Sequence, residues 1–337
     1  MIIGGSSAKL PLAKRVAIVS FGSAALIVSI VAAITAFSSS SPPTLNANYK
    51  CVPGTSIPQL KPGESATLRT SRGGFTAAFR STMPAKAPAS GLDFGMPFKG
   101  VLKMSRDGQS WTLPRPAFTN DSQINAMCVI GFQREQYPSV MIEGFTGGAH
   151  CCEVPVIYLY NKTYNRYDKV VDMSSKHPKV TYVFDDNEGF IPEVVGKNVL
   201  LATGDDSFSY AFGCYACSAT PLALYAVSPS GLTDVTFRHP ALVAAHARTL
   251  LERALAAVKA ENAVVSTIPA PFGLLAPWVA DECEIGRGSS AFSTIERLGY
   301  QGKLSNALYY KATLNHGSFI LDLRSFLLSD AYCTGQI

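Results

Sequence analysis

The feature that most constrains the fold of this chain is a succession of short strand-like runs that gives way, near residue 240, to helix-forming sequence. The runs are rich in β-branched and aromatic residues, and turn signals such as Arg106-Asp107-Gly108 separate them. Short strands joined by tight turns are typical of antiparallel sheets with meander connections. The segment 64–240 is therefore predicted to be a β-rich domain. The runs are Ser65–Thr70, Gly100–Met104, Ala126–Phe132, Ser139–Gly144, Val154–Tyr160, Lys179–Phe184, Asn198–Ala202 and Leu222–Val227.

The segment 241–337 is predicted to be a helical region. Its first helix covers Ala241–Asn262, which consists of good helix formers with Leu251, Leu255 and Val258 on one face. Prolines at 269, 271 and 277 are expected to interrupt the pattern. Further helices are predicted over Trp278–Ile285, Ser290–Leu298 and Phe319–Leu328.

An uncharged stretch from Val16 to Phe37 follows a basic N-terminal tail. As a helix it would be about 33 Å long, which is enough to cross a hydrocarbon core of about 30 Å. Lys and Arg are concentrated before it and are absent after it until Lys50. The positive-inside rule then places the N-terminus in the cytoplasm and the remainder outside.

The expected organisation is a cytoplasmic tail (1–15), a transmembrane anchor (16–37) and a linker (38–63) before the body. A cleaved signal peptide, with processing near Ala33 or Ala36, is the alternative. The predicted fold class is α+β, with an N-terminal transmembrane helix, an antiparallel β-rich extracytoplasmic body and a C-terminal helical region. The predicted location is a bacterial cytoplasmic membrane, crossed once with the N-terminus inside.

Charge and composition are ordinary for a folded exported domain. The net charge is +5, with 47% hydrophobic and 16% charged residues, and the N-terminal tail alone holds Lys9, Lys14 and Arg15. No nucleic-acid partner is expected from so small a charge on the body. The expected partners are the membrane, through residues 16–37, and an envelope protein or glycan.

All the cysteines lie beyond the uncharged stretch, in the compartment where disulfides persist. Their number is even, which favours structural bridges. An adjacent pair and a Cys-x-x-Cys pair could each close locally, or the two pairs could cross-link neighbouring strands. Adjacent Cα atoms lie about 3.8 Å apart and disulfides prefer about 4.4–6.8 Å, so geometry alone favours cross-links. The eight cysteines are Cys51, Cys128, Cys151, Cys152, Cys214, Cys217, Cys283 and Cys333.

The string Gly147-Gly148-Ala149-His150-Cys151-Cys152 is the strongest candidate for chemistry. A thiolate beside an imidazole could act as a nucleophile, but adjacent strand residues point to opposite faces. Together with Cys214 and Cys217, these residues could instead bind zinc or copper(I). Cys214 and Cys217 could also form a redox-active pair of the thioredoxin kind. Structural disulfides remain the favoured interpretation, and no catalytic residue is assigned.

Three other polar or aromatic groups have weaker claims. Asp205 and Asp206 could bind a cation or act as an acid/base pair, although two acids after a bend more often form a cap. Asp281, Glu282 and Glu284 are expected to be solvated or paired with Arg287. A tyrosine group could form a carbohydrate-binding surface, although strand packing explains it as well; its members are Tyr158, Tyr160, Tyr164 and Tyr167.

Several stretches together resemble a group of largely uncharacterised bacterial exported proteins. They are Glu143–Cys152, Asp205–Phe212, Ser218–Pro221, Gly231–Thr236, Ala280–Glu282 and Leu298–Tyr300. Members of the group resemble single blades of FG-GAP or VCBS type β-propellers, which carry an Asp-rich and Gly-rich calcium loop ending in Pro-Glu. The corresponding stretch here is Asp185–Glu193, in which Pro192-Glu193 is kept and Phe190 departs from the acid and glycine pattern. The resemblance thus implies calcium as a candidate ligand.

The resemblance also bears on the disulfides, because its members keep the adjacent pair and lack a counterpart to Cys214 and Cys217. It thereby implies local closure of Cys151 with Cys152 and of Cys214 with Cys217. Cys51 would then pair with Cys128, and Cys283 with Cys333.

The function predicted from the sequence is a membrane-anchored, extracytoplasmic binding or structural module of the bacterial envelope, stabilised by disulfides. No activity is assigned, and a non-enzymatic role is favoured. The alternative is an envelope thiol redox or metal-binding protein that uses His150, Cys151, Cys152, Cys214 and Cys217.

Overall fold

A computed structural model describes the backbone of most of the chain beyond residue 48. The described residues are 49–53, 63, 65–82, 99–114, 123–132, 136–145, 153–172, 190–261, 270–304 and 319–337. They belong to one compact unit, Asn46–Ile337, and form three antiparallel sheets followed by four α-helices.

The strands are short and follow one another closely along the chain. In order they are β1 (Tyr49–Pro53), β2 (Ser65–Arg72), β3 (Phe75–Thr82), β4 (Lys99–Arg106), β5 (Gln109–Pro114), β6 (Gln123–Ile130), β7 (Ser139–Phe145), β8 (Glu153–Asn161), β9 (Arg166–Asp172), β10 (Ile191–Val195), β11 (Asn198–Gly204), β12 (Leu222–Ser228) and β13 (Gly231–Asp234). The prediction of a β-rich body is confirmed, and each predicted run that lies within the described residues coincides with a strand. The run Lys179–Phe184 lies outside them.

Two of the sheets are simple meanders. The second sheet has the order β2-β3-β4-β5, and the third sheet has the order β10-β11-β12-β13. The first sheet has the order β1-β6-β7-β8-β9, so β1 pairs with a strand distant in sequence. All neighbouring strands in the three sheets are antiparallel.

The main core is built from all three sheets. In β3 the residues Phe75, Ala77 and Phe79 alternate with more exposed ones, as expected of a strand with one covered face. Met127–Ile130 in β6 are buried without a break, which means that this central strand is covered on both faces. Residues from the third sheet, Val199 and Leu201 among them, complete the same core.

The helices enclose a second core. They are α1 (Pro240–Glu261), α2 (Ala270–Glu284), α3 (Gly288–Tyr300) and α4 (Phe319–Ser329). Residues 271–281 of α2 are all buried, so α2 is the central helix and the other helices pack around it. A helix that is apolar on every side is expected in such a position.

The predicted fold class needs one correction, which concerns the transmembrane helix. No helix among the described residues is long and apolar enough to span a membrane. The longest, α1, exposes Arg248, Glu252 and Arg253 and is an amphipathic helix that covers one side of α2. The predicted anchor at 16–37 lies outside the described residues. The described residues therefore form a β-rich body with four helices, none of which could span a membrane.

The expected interruption of the helical pattern by prolines is also wrong, because α2 begins at Ala270 and runs through Pro271 and Pro277. Pro271 lies in the first turn, where a backbone N–H has no partner within the helix. Pro277 removes the N–H that would bond the carbonyl of Gly273. That carbonyl instead accepts the backbone N–H of Ala219 at 2.9 Å, so a loop from the β-rich part replaces the missing hydrogen bond.

Three disulfides connect described residues. Cys51–Cys128 joins directly opposed residues of β1 and β6. Cys283–Cys333 joins α2 to the C-terminal segment, and Cys214–Cys217 closes a short loop. For the Cys-x-x-Cys pair the structure therefore has the local closure rather than the cross-link. Cys151 and Cys152 lie outside the described residues.

Candidate functional site

The most unusual polar group of the described chain is the carboxylate of Asp281, on the central helix α2. Its side chain is 0% exposed, and its Oδ2 lies 2.6 Å from Nδ1 of His246 on α1. Its Oδ1 accepts the backbone N–H of Leu222 at 2.9 Å, at the first residue of β12. One carboxylate thus connects two helices with the third sheet.

Burial dominates the electrostatics of Asp281. Burial raises the pKa of this carboxyl. The hydrogen bond and charge of His246 and the N–H of Leu222 lower the pKa, but by less than burial raises it. The pair also orients the imidazole. When Nδ1 carries the proton that it donates to Asp281, Nε2 of the neutral ring is left as an acceptor. The His246 side chain is 34% exposed, so the imidazole lies at the surface end of a buried contact.

Further carboxylates surround this pair. Burial raises the pKa of Glu284, one turn along α2, and the charges of Asp234 and Asp281 raise it further. Asp234 ends β13 and accepts hydrogen bonds from the N–H and the hydroxyl of Thr236, at 2.8 and 2.6 Å. Burial, followed by Asp234 and Asp205, raises the pKa of Tyr225 to about 12. These groups form one acidic neighbourhood between the third sheet and the helices.

Asp205 belongs to the same acidic neighbourhood, because its charge also raises the pKa of Tyr225. Its Oδ1 accepts the N–H of Ser207 at 2.9 Å and caps the short 3-10 helix Asp206–Phe208. Its Oδ2 accepts the hydroxyl of Tyr332 at 2.9 Å. Burial and the adjacent Asp205 charge raise the pKa of Tyr332. Asp205 therefore has the geometry of a cap that also fastens the C-terminal segment, and Asp206 is the first residue of the helix that it caps.

The other predicted site residues are brought together only in part. Cys214 and Cys217 are bonded to each other, whereas His150, Cys151 and Cys152 lie outside the described residues. Within the described ranges, no group of three or more His, Cys, Asp or Glu side chains has the arrangement needed to hold a metal ion.

The candidate calcium loop is described only at its end, since residues 185–189 lie outside the described part. Phe190 is 2% exposed, and its N–H donates to Oε1 of Glu143 at 2.6 Å. Glu143 is itself 6% exposed. This contact ties the start of β10 to β7 of the first sheet.

The tyrosines proposed as a carbohydrate-binding surface do not share one. Tyr158 and Tyr167 are each 4% exposed and belong to the main core. The hydroxyl of Tyr167 donates to the carbonyl of Pro138 at 2.9 Å. Tyr164 is 66% exposed, with the guanidinium of Arg166 5.0 Å from the centre of its ring.

Comparison with known proteins gives one informative relationship. A protein of Synechocystis sp. described as "Probable thylakoid lumen protein" is 28% identical to this chain over 213 residues, which are 58% of this chain and 57% of the relative. The chain thus spans little more than half the length of that relative. No family model matches the chain, and no solved structure matches it. The resemblance to FG-GAP or VCBS blades stays a prediction.

The Asp281–His246 pair was missed by the sequence analysis, and the expectation for Asp281 was wrong. For Glu282 the expectation is confirmed, because its carboxylate lies 3.9 Å from the guanidinium of Arg287. The sequence does contain a signal that Asp281 is buried. Asp281 follows Leu274 and Trp278 at helical spacing, so it lies on the same helix face as buried apolar residues. An acid at such a position needs a buried partner.

Proposed function

We propose that this chain is an extracytoplasmic binding or structural module of a bacterial envelope, held together by disulfides. The observation that carries the proposal is the pair of long-range bridges, Cys51–Cys128 and Cys283–Cys333. They close loops with sequence separations of 77 and 50 residues. Such bridges form and persist in oxidising compartments and are rare where thiols are kept reduced.

The similarity to a protein described as a thylakoid lumen protein supports the same location, because a thylakoid lumen lies outside the cytoplasm. The positions of the two long-range bridges suit a stabilising role. Cys128, Cys283 and Cys333 are 2%, 3% and 0% exposed, so most of the sulfurs are packed within the two cores. The partner that we propose for the module is an envelope protein or glycan.

The location is tested by expressing the full chain in a bacterium and adding protease to intact spheroplasts. The proposal expects digestion of the region beyond residue 46 without lysis, while a cytoplasmic control protein stays intact. Protection until lysis would contradict it.

The binding role is tested by two parallel assays on the purified full chain. One is co-sedimentation with isolated peptidoglycan, and the other is chemical cross-linking in envelope extracts followed by identification of the linked proteins. Saturable binding in either assay supports a binding module. A result indistinguishable from that of an unrelated exported protein in both would leave only the structural role.

A further inference from the structure

The bridge between Cys214 and Cys217 differs from the other two described bridges in what it can contribute to the fold. Its cysteines are separated by 3 positions in sequence, against 50 and 77 for the others. A disulfide stabilises mainly by restricting the unfolded chain, and the effect grows with the length of the loop that it closes. This bridge is therefore the one with the least stabilising value.

Its position in the structure differs from that of the Cys283–Cys333 bridge. Cys214 is exposed and Cys217 is half-buried, whereas both sulfurs of Cys283–Cys333 are in the helical core. Cys51 is exposed as well, but its bridge to the buried Cys128 closes the longest of the three loops. A disulfide exchanges when a thiolate reaches one of its sulfurs along the axis of the bond, so access is a requirement. Cys214 offers that access.

The loop that carries the bridge is held by contacts that do not depend on sulfur. The N–H groups of Cys217 and Ser218 donate to the carbonyls of Cys214 and Tyr215 at 3.0 and 3.1 Å. The Ser218 hydroxyl donates to the Cys214 carbonyl at 2.9 Å. The Tyr215 side chain is 9% exposed and belongs to the main core. These contacts keep the two cysteines close to each other whether or not the bond is present.

The loop is also fixed to the central helix α2. The N–H of Ala219 donates to the carbonyl of Gly273 that Pro277 leaves without a helical partner. The backbone of Cys217 and Ser218 lies so close to Gly273 that a Cβ at that position would be 2.5 Å from the Cys217 carbonyl oxygen. The bond can therefore open and close on a preformed loop, without unfolding of the surrounding structure.

From these observations we propose that Cys214–Cys217 is a thiol–disulfide exchange site, reduced by a protein dithiol, whose main role is exchange and not stabilisation. A thiolate of the partner attacks Sγ of Cys214, forming a mixed disulfide, and Cys217 leaves as a thiolate that takes up a proton. The second thiol of the partner then attacks the partner sulfur that is bonded to Cys214. Cys214 leaves as a thiolate, which takes up a proton. Two electrons and two protons pass to this chain, and the partner becomes a disulfide.

The test is a titration of the folded full chain with dithiothreitol, with iodoacetamide trapping and peptide mass spectrometry that reads each cysteine separately. Cys214 and Cys217 are expected to become labelled at a concentration about tenfold or more below that needed for Cys283 and Cys333. The far-ultraviolet circular dichroism should not change, and removal of the reductant should restore the bond. Cys283–Cys333 is the internal control.

Two results would overturn the proposal. One is labelling of Cys214 and Cys217 only together with Cys283 and Cys333, or only after denaturant is added. The other is labelling of Cys51 and Cys128 before Cys214 and Cys217.

The direction of attack is tested with two matched variants, Cys217→Ser and Cys214→Ser, each of which leaves one thiol of the pair. The remaining Cys214 should react with an aromatic disulfide reagent about tenfold faster than the remaining Cys217, because only Cys214 is exposed. Equal rates, or a faster Cys217, would contradict attack at Cys214.

Discussion

A single buried carboxylate connects three elements of this protein. Asp281 has no solvent exposure, and its two oxygens are taken up by the His246 ring and the Leu222 N–H. Charged groups are rarely buried unless they are paired and hydrogen-bonded. Removing an unpaired charge from water costs more free energy than most contacts contribute. Asp281 is therefore expected to be the most sensitive polar position in the described part of the chain.

Replacing Asp281 by alanine should lower the free energy of unfolding by about 3 kcal/mol, because the Leu222 N–H and the His246 ring lose their acceptor together. Urea unfolding followed by circular dichroism measures the change. Glu296→Ala removes an exposed acid from α3 and should change the stability by less than about 0.5 kcal/mol. A similar effect of the two substitutions would contradict the importance of the buried contact.

The pH dependence of stability follows from the raised pKa of Asp281. The folded protein keeps this proton above the ordinary pKa of 3.8, at which the unfolded chain releases it. The contribution of Asp281 to stability is complete below about pH 4 and is lost as the pH rises through the folded pKa. The amide of Asp281→Asn does not titrate, so the variant does not lose this contribution as the pH rises. The free energy of unfolding of the variant minus that of wild type should therefore increase from about pH 4 towards neutral pH.

Unfolding curves of both proteins across that pH range measure the difference. The same comparison in a Glu284→Gln background removes the titration of Glu284, whose pKa the charge of Asp281 also raises. A difference that falls as the pH rises would mean that the partners of Asp281 lower its pKa below the ordinary value.

At the residue scale, the sequence predicted roles that depend on near neighbours and missed those that depend on distant ones. The cap formed by Asp205 follows from its place after a bend and before Ser207. Its second contact, with Tyr332, spans 127 positions. The contact between His246 and Asp281 spans 35. Helical spacing shows that each side chain borders a buried stripe, but only the packing of α1 on α2 brings them together.

Among the elements, α2 shows how a glycine and a proline can act as a pair. Pro277 frees the carbonyl of Gly273, and the missing side chain of Gly273 lets the loop 217–219 approach and use that carbonyl. The docking of this loop thus depends on a residue that weakens the helix and on another that breaks its hydrogen bonding.

Gly273→Ala should destabilise the protein by about 1–3 kcal/mol, because the new Cβ meets backbone atoms at 2.5 and 2.9 Å and neither can move freely. Gly299→Ala is the matched control in α3, where a Cβ meets nothing within 4 Å. The control should be neutral or stabilising by up to about 1 kcal/mol, since alanine favours helix. Thermal unfolding of the two variants measures both effects, and a stabilised Gly273→Ala would contradict the close approach.

Most of the predicted elements have clear periodicity, although β3 was missed despite the alternation of Phe75, Ala77 and Phe79 with more exposed residues. Other missed strands depend on their partners. The short strands β10 and β13 contain Ile191–Val195 and Gly231–Asp234, and both are edge strands with few buried residues. Such strands are defined by hydrogen bonds to their neighbours rather than by an alternating pattern. In α1 the predicted face included Leu255, which is 41% exposed. Val258 of the predicted face does belong to the buried stripe, which otherwise runs through Val243, Ala247, Leu250 and Ala254. The two alanines of this stripe carry little hydrophobic signal.

For the whole molecule, the stability of the fold depends on the long-range bridges more than on the local one. Cys51–Cys128 fixes β1 to a sheet whose other strands come from much later in the chain, and Cys283–Cys333 fixes the C-terminus to α2. The number of cysteines follows from counting, and an oxidising compartment was predicted from their position in the chain. The pairings required either the resemblance or the structure.

The double variant Cys283→Ser with Cys333→Ser should lose about 4 kcal/mol of stability, because the bridge spans 50 residues. The double variant Cys214→Ser with Cys217→Ser should lose about 2 kcal/mol, because its bridge spans 3. Guanidinium unfolding under non-reducing conditions measures both losses. Equal losses, or a larger loss for the second variant, would contradict the difference in roles.

The proposed extracytoplasmic location requires that the two long-range bridges are formed in the cell. The most direct test is to alkylate the free thiols of intact cells at once, isolate the full chain and map every cysteine by mass spectrometry. We expect Cys51–Cys128 and Cys283–Cys333 to be fully oxidised, whatever the state of Cys214 and Cys217. Alkylated, reduced thiols at Cys51, Cys128, Cys283 and Cys333 would contradict it.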